Sequence, residues 1–405
     1  MRIAYLCCDI GVSSGGKGGN AVHVREMVRA FRSLGHEVRV FVASGDGVAE
    51  RDDIGAEVIA LEGFAGEVAR LPGAEEAGLP AHLSREWRRL LYSEYAQRAL
   101  RPALAWYQPD VIYERYSLFA YAGVELAQAL DAPLLLEVNA PLSREASAHR
   151  GLVLTQLAAE LERRIFCAAD ALVVVSNALR DYATQLGATP ERITVLPNGV
   201  DAARFHPGAS GDAVRARFGL NGERVVGFVG SLKPWHDLDT LQAAVRLVSN
   251  GGGRVRLLVV GDGPRLAQLR EANGDVTCAG AVDHQDVPAY LAAMDVVVVP
   301  YADGGDHYFS PLKLAEAMAM AKPVIGARTG QVAELVVHGE TGLLYEPGRP
   351  DDLADKIRQV IEAPDLAARM GAAARERIVA TRTWEGNARR VEELAQGLLD
   401  RRRAP

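Results

Sequence analysis

Cysteine is scarce in this chain: 405 residues hold only four, Cys7, Cys8, Cys167 and Cys278. So few thiols build no disulfide framework. Cys7 and Cys8 are neighbours on a strand-like run, and the other two are isolated, which fits a reduced cytoplasmic setting. Long apolar runs are missing as well. None approaches the roughly 18 residues of a membrane span, and the opening MRIAYLCCDIG is interrupted by glycine too soon for a secretory leader. Positive charge is not in excess: the formal net charge is -7, so no basic field marks a nucleic-acid partner. No short repeat or low-complexity tract occurs. The dinucleotide fingerprint is also missing. Glycines 15, 16, 18 and 19 precede a helical pattern, but Gly16-Lys17-Gly18-Gly19 breaks the G-x-G-x-x-G spacing.

What is present is alternation. Apolar runs at Ile3–Cys7, Val38–Ala43, Val58–Leu61, Val111–Tyr113, Leu134–Val138, Ala171–Val175 and Ile193–Leu196 are separated by amphipathic stretches, among them Asn20–Ser33, Ser84–Tyr107, Phe119–Leu130 and Leu152–Ala169. The pattern restarts at Val225–Val229 and continues through Val255–Val260, Val276–Cys278, Val296–Val299, Val324–Ile325 and Leu343–Tyr345. Strands apolar along their whole length, with helices between them, predict parallel sheets covered on both faces. The Pro-, Gly- and Asp-rich Pro197–Asp212 separates the two sets. The expected fold class is α/β, with two doubly wound Rossmann-like domains facing a central cleft: residues 1–200, and residues 201–382 with a terminal helix at 383–405. In such sheets ligands bind beyond the carboxyl ends of the strands.

Two segments carry candidate chemistry. In YFSPLKLAEAMAMAKPVIG, Ser310-Pro311 opens a helix with Glu316 further along it. Proline suits a first helical turn, the exposed N–H groups of that turn attract an anion, and Glu316 is placed to accept from sugar hydroxyls. In VVGFVGSLKPWHDLDTL, Lys233 and His236 sit between a strand and a helix that Asp237 caps. A lysine there would neutralise a diphosphate leaving group. The alternatives are ordinary ones: a solvated lysine, a loop histidine with a local partner and, for Trp235, a core position ahead of one lining the cleft. Glu114, Arg115 and Glu137 fall at strand ends, where ligand contacts or structural roles are equally open.

In series, GGKGGNAVHVREMVRAFRSLGHEVRVF, DALVVVSNALRDY, RITVLPNGVDAARFHP, VVGFVGSLKPWHDLDTL, VVGDGP, YLAAMDVVVVPY, SPLKLAEAMAMAKPVIG and HGETGLLYEPG resemble the family 4 glycosyltransferases of GT-B fold, over nearly the whole chain. The resemblance implies retaining, metal-independent transfer of a sugar from a nucleoside diphosphate donor, a UDP-sugar before a GDP- or ADP-sugar, with no further cofactor. The leaving phosphate would take the acceptor's proton on the same face. Glu316 matches the second glutamate of the E-x7-E motif, which holds the ribose, while the first falls on Tyr308. Ser310, Pro311 and Leu312 occupy the diphosphate turn. Ser231 and His236 stand where an arginine and a lysine are usual, so the charge passes to Lys233. Gly18 and Gly19 match the glycine pair beside the phosphate, and Val282 lies where backbone groups meet the base. Asn139 replaces the usual histidine near the sugar, with Arg115 and Glu137 as acceptor-side candidates. The terminal helix would return to the first domain. The acceptor would be a small molecule or glycan offering a hydroxyl or thiol, and the basic helix at His82–Arg101 permits peripheral membrane contact or is a plain solvated face. Two other classes stay open: a non-catalytic sugar-nucleotide binder, prompted by Tyr308 and Asn139, and a nicotinamide-dependent oxidoreductase, prompted by the glycine loop.

Overall fold

A computed structural model describes residues 1–7, 18–44, 54–61, 63–69, 83–220, 222–251, 254–271, 276–304 and 307–403. The chain forms two compact units. The first comprises Met1–Pro197, Tyr308–Ser310 and Trp384–Pro405, and the second Asn198–His307 and Pro311–Thr383.

The first unit is built on seven parallel strands: β1 (Arg2–Leu6), β2 (Glu37–Ser44), β3 (Ala56–Ala60), β4 (Val111–Arg115), β5 (Leu134–Val138), β6 (Ala171–Val174) and β7 (Ile193–Val195), in the order β3-β2-β1-β4-β5-β6-β7. Every residue of β5 and β6 is buried. Their unbroken Leu and Val content follows from cover on both faces. The Gly19–Ser33 helix buries Val22, Val24, Met27, Val28 and Phe31. The terminal Trp384–Arg403 helix lies in this unit: Trp384 meets His23 edge-on at 4.9 Å, His36 Nε2 is 3.5 Å from Glu392, and Arg402 is 3.1 Å from Asp131.

The second unit carries β8 (Arg224–Val229), β9 (Val255–Val260), β10 (Val276–Gly280), β11 (Val296–Val299), β12 (Val324–Ala327) and β13 (Leu343–Tyr345), in the order β10-β9-β8-β11-β12-β13, again all parallel. In both sheets the strand order reverses once, between β1 and β4 and between β8 and β11. Such reversals open a crevice at the carboxyl ends, where ligands collect in open parallel sheets. The end of β8 is set by a close approach: a Cβ on Gly261, at φ 138°, would lie 1.9 Å from the Gly230 carbonyl oxygen.

Local chemistry moves several boundaries from where periodicity places them. The helix read from Phe119 begins at Ala122, because Phe119 itself has φ 68°, left-handed and incompatible with a helix. The helix read from Leu152 begins at Thr155. The Glu86 carboxylate, from the distant Leu83–Tyr107 helix, accepts from the Val153 and Leu154 N–H groups at 2.7 and 2.6 Å and caps it. Periodicity shows apolar faces but not a cap from another element. Trp235, read as core, is 48% exposed. Among the described residues no helix is long and apolar enough to cross a membrane.

Among the buried carboxylates, Glu114 stands without a cation partner in an ion pair among the described residues. Glu114 in β4 is fully buried beneath Gly123, whose Cβ position its carboxylate would occupy. Burial raises its pKa from 4.5 to about 8, the nearby Gly123 N–H acting in the opposite sense, and neither carboxylate oxygen makes a full hydrogen bond among the described residues. The folded protein therefore holds this proton more tightly than the unfolded chain. The associated stability is complete below the unfolded pKa and is lost as pH rises from about 4.5 toward 8, at up to roughly 1.4 kcal/mol per pH unit. Glu114→Gln should flatten the decline in unfolding free energy between about pH 5 and about pH 8 in urea titrations. Equal declines in variant and wild type would show that Glu114 is ionised in the folded state.

Candidate functional site

Each unit gathers polar side chains where its strand order reverses. In the second unit, β8 passes through Gly230 into a short 3-10 turn, Pro234–His236, and then into the Leu238–Asn250 helix. Asp237 caps that helix, its carboxylate accepting from Thr240 N–H at 3.3 Å. His236 is buried, with Nδ1 2.5 Å from the Ser231 carbonyl oxygen and Nε2 2.7 Å from Lys313 Nζ. Burial and then the Lys313 charge push its pKa down to about 3. The ring is therefore neutral: Nδ1–H donates to Ser231, and the Nε2 lone pair faces the lysine. His236 thus brings no positive charge of its own. Lys233, read as the charge of this loop, is an exposed residue at the start of the turn.

The lysine that packs into the cluster is Lys313, in the first turn of the Leu312–Ala319 helix. Its Nζ lies over the Phe228 ring at 4.6 Å and 5.6 Å from the Tyr301 ring. Taken over the whole side chain and backbone, the residue is half-buried. Gly230 has φ 145°, a backbone conformation that side chains rarely adopt, and a Cβ there would also sit 2.7 Å from Nζ. Burial lowers the Lys313 pKa to about 7, and the charge of Glu316 acts in the opposite sense.

Glu316, on the same helix, is 7% exposed, with Oε1 2.7 Å from His284 Nε2. His284 opens a second 3-10 turn after β10, its Nδ1 3.1 Å from Arg204, which pairs with Asp201 at 3.1 Å. Val282, just before that turn, is half-buried. Pro311 precedes the Leu312–Ala319 helix, and no side chain caps it. Ser310 and Tyr308 belong to the first unit. The Tyr308 hydroxyl donates to Glu145 Oε2 at 2.6 Å, and its carbonyl accepts from Ser176 Oγ at 2.6 Å.

The first unit's cluster centres on Glu137 at the end of β5, 1% exposed. Oε1 is 2.7 Å from His23 Nε2, Oε2 accepts from the Tyr113 hydroxyl at 2.5 Å, and Asn139 Nδ2 donates to Oε1. Burial alone would raise its pKa, but His23, Arg115 and Tyr113 together hold it at about 2. Glu137 is therefore a fixed anion rather than a proton acceptor. Arg115 lies beside it in strand register, its Nε buried without a hydrogen-bond partner among the described residues. Gly18 and Gly19 start the helix that carries His23 and are exposed. The rest of the glycine loop lies outside the described residues.

The structure thus groups Ser231 with His236, and Asn139 and Arg115 with Glu137. Periodicity did not single out Lys313, His284 or His23. For Lys313 there was a signal: a lone cation in the first turn of an otherwise apolar helix, where the dipole disfavours positive charge.

Residues 17–204 match the family described as Glycosyltransferase Family 4, and residues 223–363 match Glycosyl transferases group 1. A GDP-mannose-dependent alpha-(1-6)-phosphatidylinositol monomannoside mannosyltransferase of Mycobacterium tuberculosis is 31% identical over 286 residues, 66% of this chain and 74% of that protein. A D-inositol 3-phosphate glycosyltransferase of Acidothermus cellulolyticus is 31% identical over 377 residues, 88% of this chain and 80% of that one. Among solved structures, sucrose-phosphate synthase from Thermosynechococcus elongatus superposes with TM-score 0.75 at 24% identity, covering 98% of this chain and 99% of the other. HepE of Anabaena, solved with UDP and glucose, gives 0.72 at 20% identity, with 98% and 100% covered. These likenesses carry the GT-B fold class and set aside the oxidoreductase reading. The chain belongs to the group 1, family 4 glycosyltransferases.

Proposed function

We propose that the protein transfers a sugar from a nucleoside diphosphate sugar to a hydroxyl or thiol of a small-molecule or glycan acceptor, with retention of anomeric configuration and without a metal ion, in the cytoplasm. The carrying observation is the Leu312–Ala319 helix, which sets an uncapped N-terminal turn and the His284-held carboxylate of Glu316 close together on one element. The turn suits a diphosphate and the carboxylate a ribose. Glu316 is assigned the ribose, Pro311 and Leu312 with Ser231 and His236 the diphosphate region, Lys233 its solvent rim, and Val282 the base. In the first unit, Gly18 and Gly19 are assigned to the phosphate side. Asn139, Glu137 and Arg115 are assigned to sugar and acceptor recognition, with Tyr308 and Ser310 as further donor contacts. Relatives whose names specify GDP-mannose, and a neighbour solved with UDP and glucose, support a nucleotide-linked donor.

No general base is required of Asn139 or the fixed Glu137. The bond from sugar C1 to the leaving phosphate oxygen breaks as the bond from C1 to the acceptor oxygen or sulfur forms. The acceptor's proton passes to the departing phosphate oxygen on the same face. The protein's part is positioning and stabilisation of the charge on that oxygen.

A thermal-shift screen of UDP-, GDP- and ADP-sugars should raise the melting temperature with one base class, UDP first. With that donor, the product's anomeric proton signals should show the donor's configuration. Inversion would overturn the retaining reading, and no shift with any donor would count against the function. Glu316→Gln should weaken nucleotide binding about 10- to 100-fold, the worth of charge-assisted hydrogen bonds to ribose hydroxyls. Unchanged affinity would remove Glu316 from the site. Transfer should survive exhaustive chelation. Loss restored by added magnesium would show that a metal takes part.

A further inference from the structure

Lys313 stands in an arrangement that resists a cation. It occupies the first turn of a helix, where the dipole repels positive charge. Its amine is largely desolvated, and among the described residues no carboxylate lies within ion-pair distance of it. Its near neighbours are two aromatic faces, Phe228 and Tyr301, and the neutral Nε2 of His236. Aromatic faces offset part of the lost hydration, and the imidazole accepts one of its hydrogen bonds. The other donor positions of a protonated amine remain for something the free protein does not supply. Gly230, without a side chain to crowd Nζ, keeps the space beside the amine open.

The same amine is positioned by two groups that fix its location. Ser231 orients His236 through its carbonyl, and Gly230, which has no side chain to crowd Nζ, leaves room beside it. An anion arriving at this turn would meet the amine, the uncapped N–H groups and the dipole at once.

We propose that Lys313 is the cation that grips the donor diphosphate, and that binding draws a proton from solvent onto its amine. The inference rests on the donor reading above and assigns to Lys313 the charge that the family pattern would place at positions 231 and 236. The groups facing the amine are His236 from the 3-10 turn, Tyr301 beyond β11, with His307 6.5 Å from that ring, and Glu316 on the same helix. His236 stays neutral through the working range because burial holds its pKa near 3, and the Tyr301 hydroxyl is pushed well above its ordinary value by burial. The lysine, at about 7, is the group among these that changes charge near neutrality. A bound dianion favours the ammonium form and raises that pKa, so the complex holds a proton that the free protein largely lacks above neutrality.

Calorimetric titration of the full chain with UDP and GDP near pH 8, in two buffers of different ionisation enthalpy, counts the protons. Phosphate groups of the nucleotide are fully ionised there, above their second pKa of about 6. The expected result for the wild type is uptake of a large fraction of one proton. Lys313→Met keeps the side chain's length and apolar contacts. It should fold with an unchanged or raised melting temperature, lose the proton uptake, and bind nucleotide at least about tenfold more weakly. Lys233→Met should weaken binding while keeping the uptake. If the wild type binds neither nucleotide, the donor reading falls and this inference with it. If it binds and the Lys313→Met variant shows equal affinity and equal uptake, the donor reading stands and the assignment to Lys313 is overturned.

Discussion

Parallel strands covered by helices on both faces leave no water along their length, so polar chemistry is confined to their ends. The rest of this structure follows from that constraint. The central strands are mostly apolar, as in the LLLEV of β5, the ALVV of β6 and the VVVV of β11, and the polar groups of the two clusters lie toward the strand ends or just beyond them. Arg115 ends β4, and Glu137 is the penultimate residue of β5. Gly230 and Ser231 follow β8, and Tyr301 follows β11. Glu114 is the informative exception: a carboxyl placed inside the sheet layer is kept by carrying a proton rather than by finding a cation.

In the second unit one helix organises the candidate donor site. Leu312–Ala319 presents an amine at Lys313 and a carboxylate at Glu316, three residues apart and so on neighbouring positions of one face. Each is met by an imidazole from a separate 3-10 turn, Lys313 by His236 and Glu316 by His284. The two turns follow β8 and β10, strands whose places are fixed by the sheet. The sheet thereby sets the histidines, and the histidines set the charged groups. In the first unit His23 plays a comparable part toward Glu137, with Trp384 of the terminal helix against its ring.

The sheets were legible in the sequence because burial on both faces writes itself as uninterrupted apolar runs, and Glu316 was legible because the helix around it carries a recognisable series. Helix starts were read less well. Glu86 caps a helix some 68 positions away in sequence from Leu154, and the left-handed Phe119 halts another; neither leaves a periodic trace. Polar partners were least legible. Lys233 directly precedes a proline and Lys313 follows one by two residues, and nothing in their neighbours' identities says that one is exposed and the other rests on Phe228. That choice is made by the sheet order, which brings the end of β8 against the helix that follows β11.

In the proposed donor site the positive charge resides on the Leu312–Ala319 helix. The most direct test of this placement is a crystal structure of the protein with a bound nucleoside diphosphate. The expected result is a phosphate oxygen within hydrogen-bond distance of Lys313 Nζ and the ribose hydroxyls on Glu316. Phosphates held by Lys233 instead, with Lys313 still turned only toward His236, would contradict it.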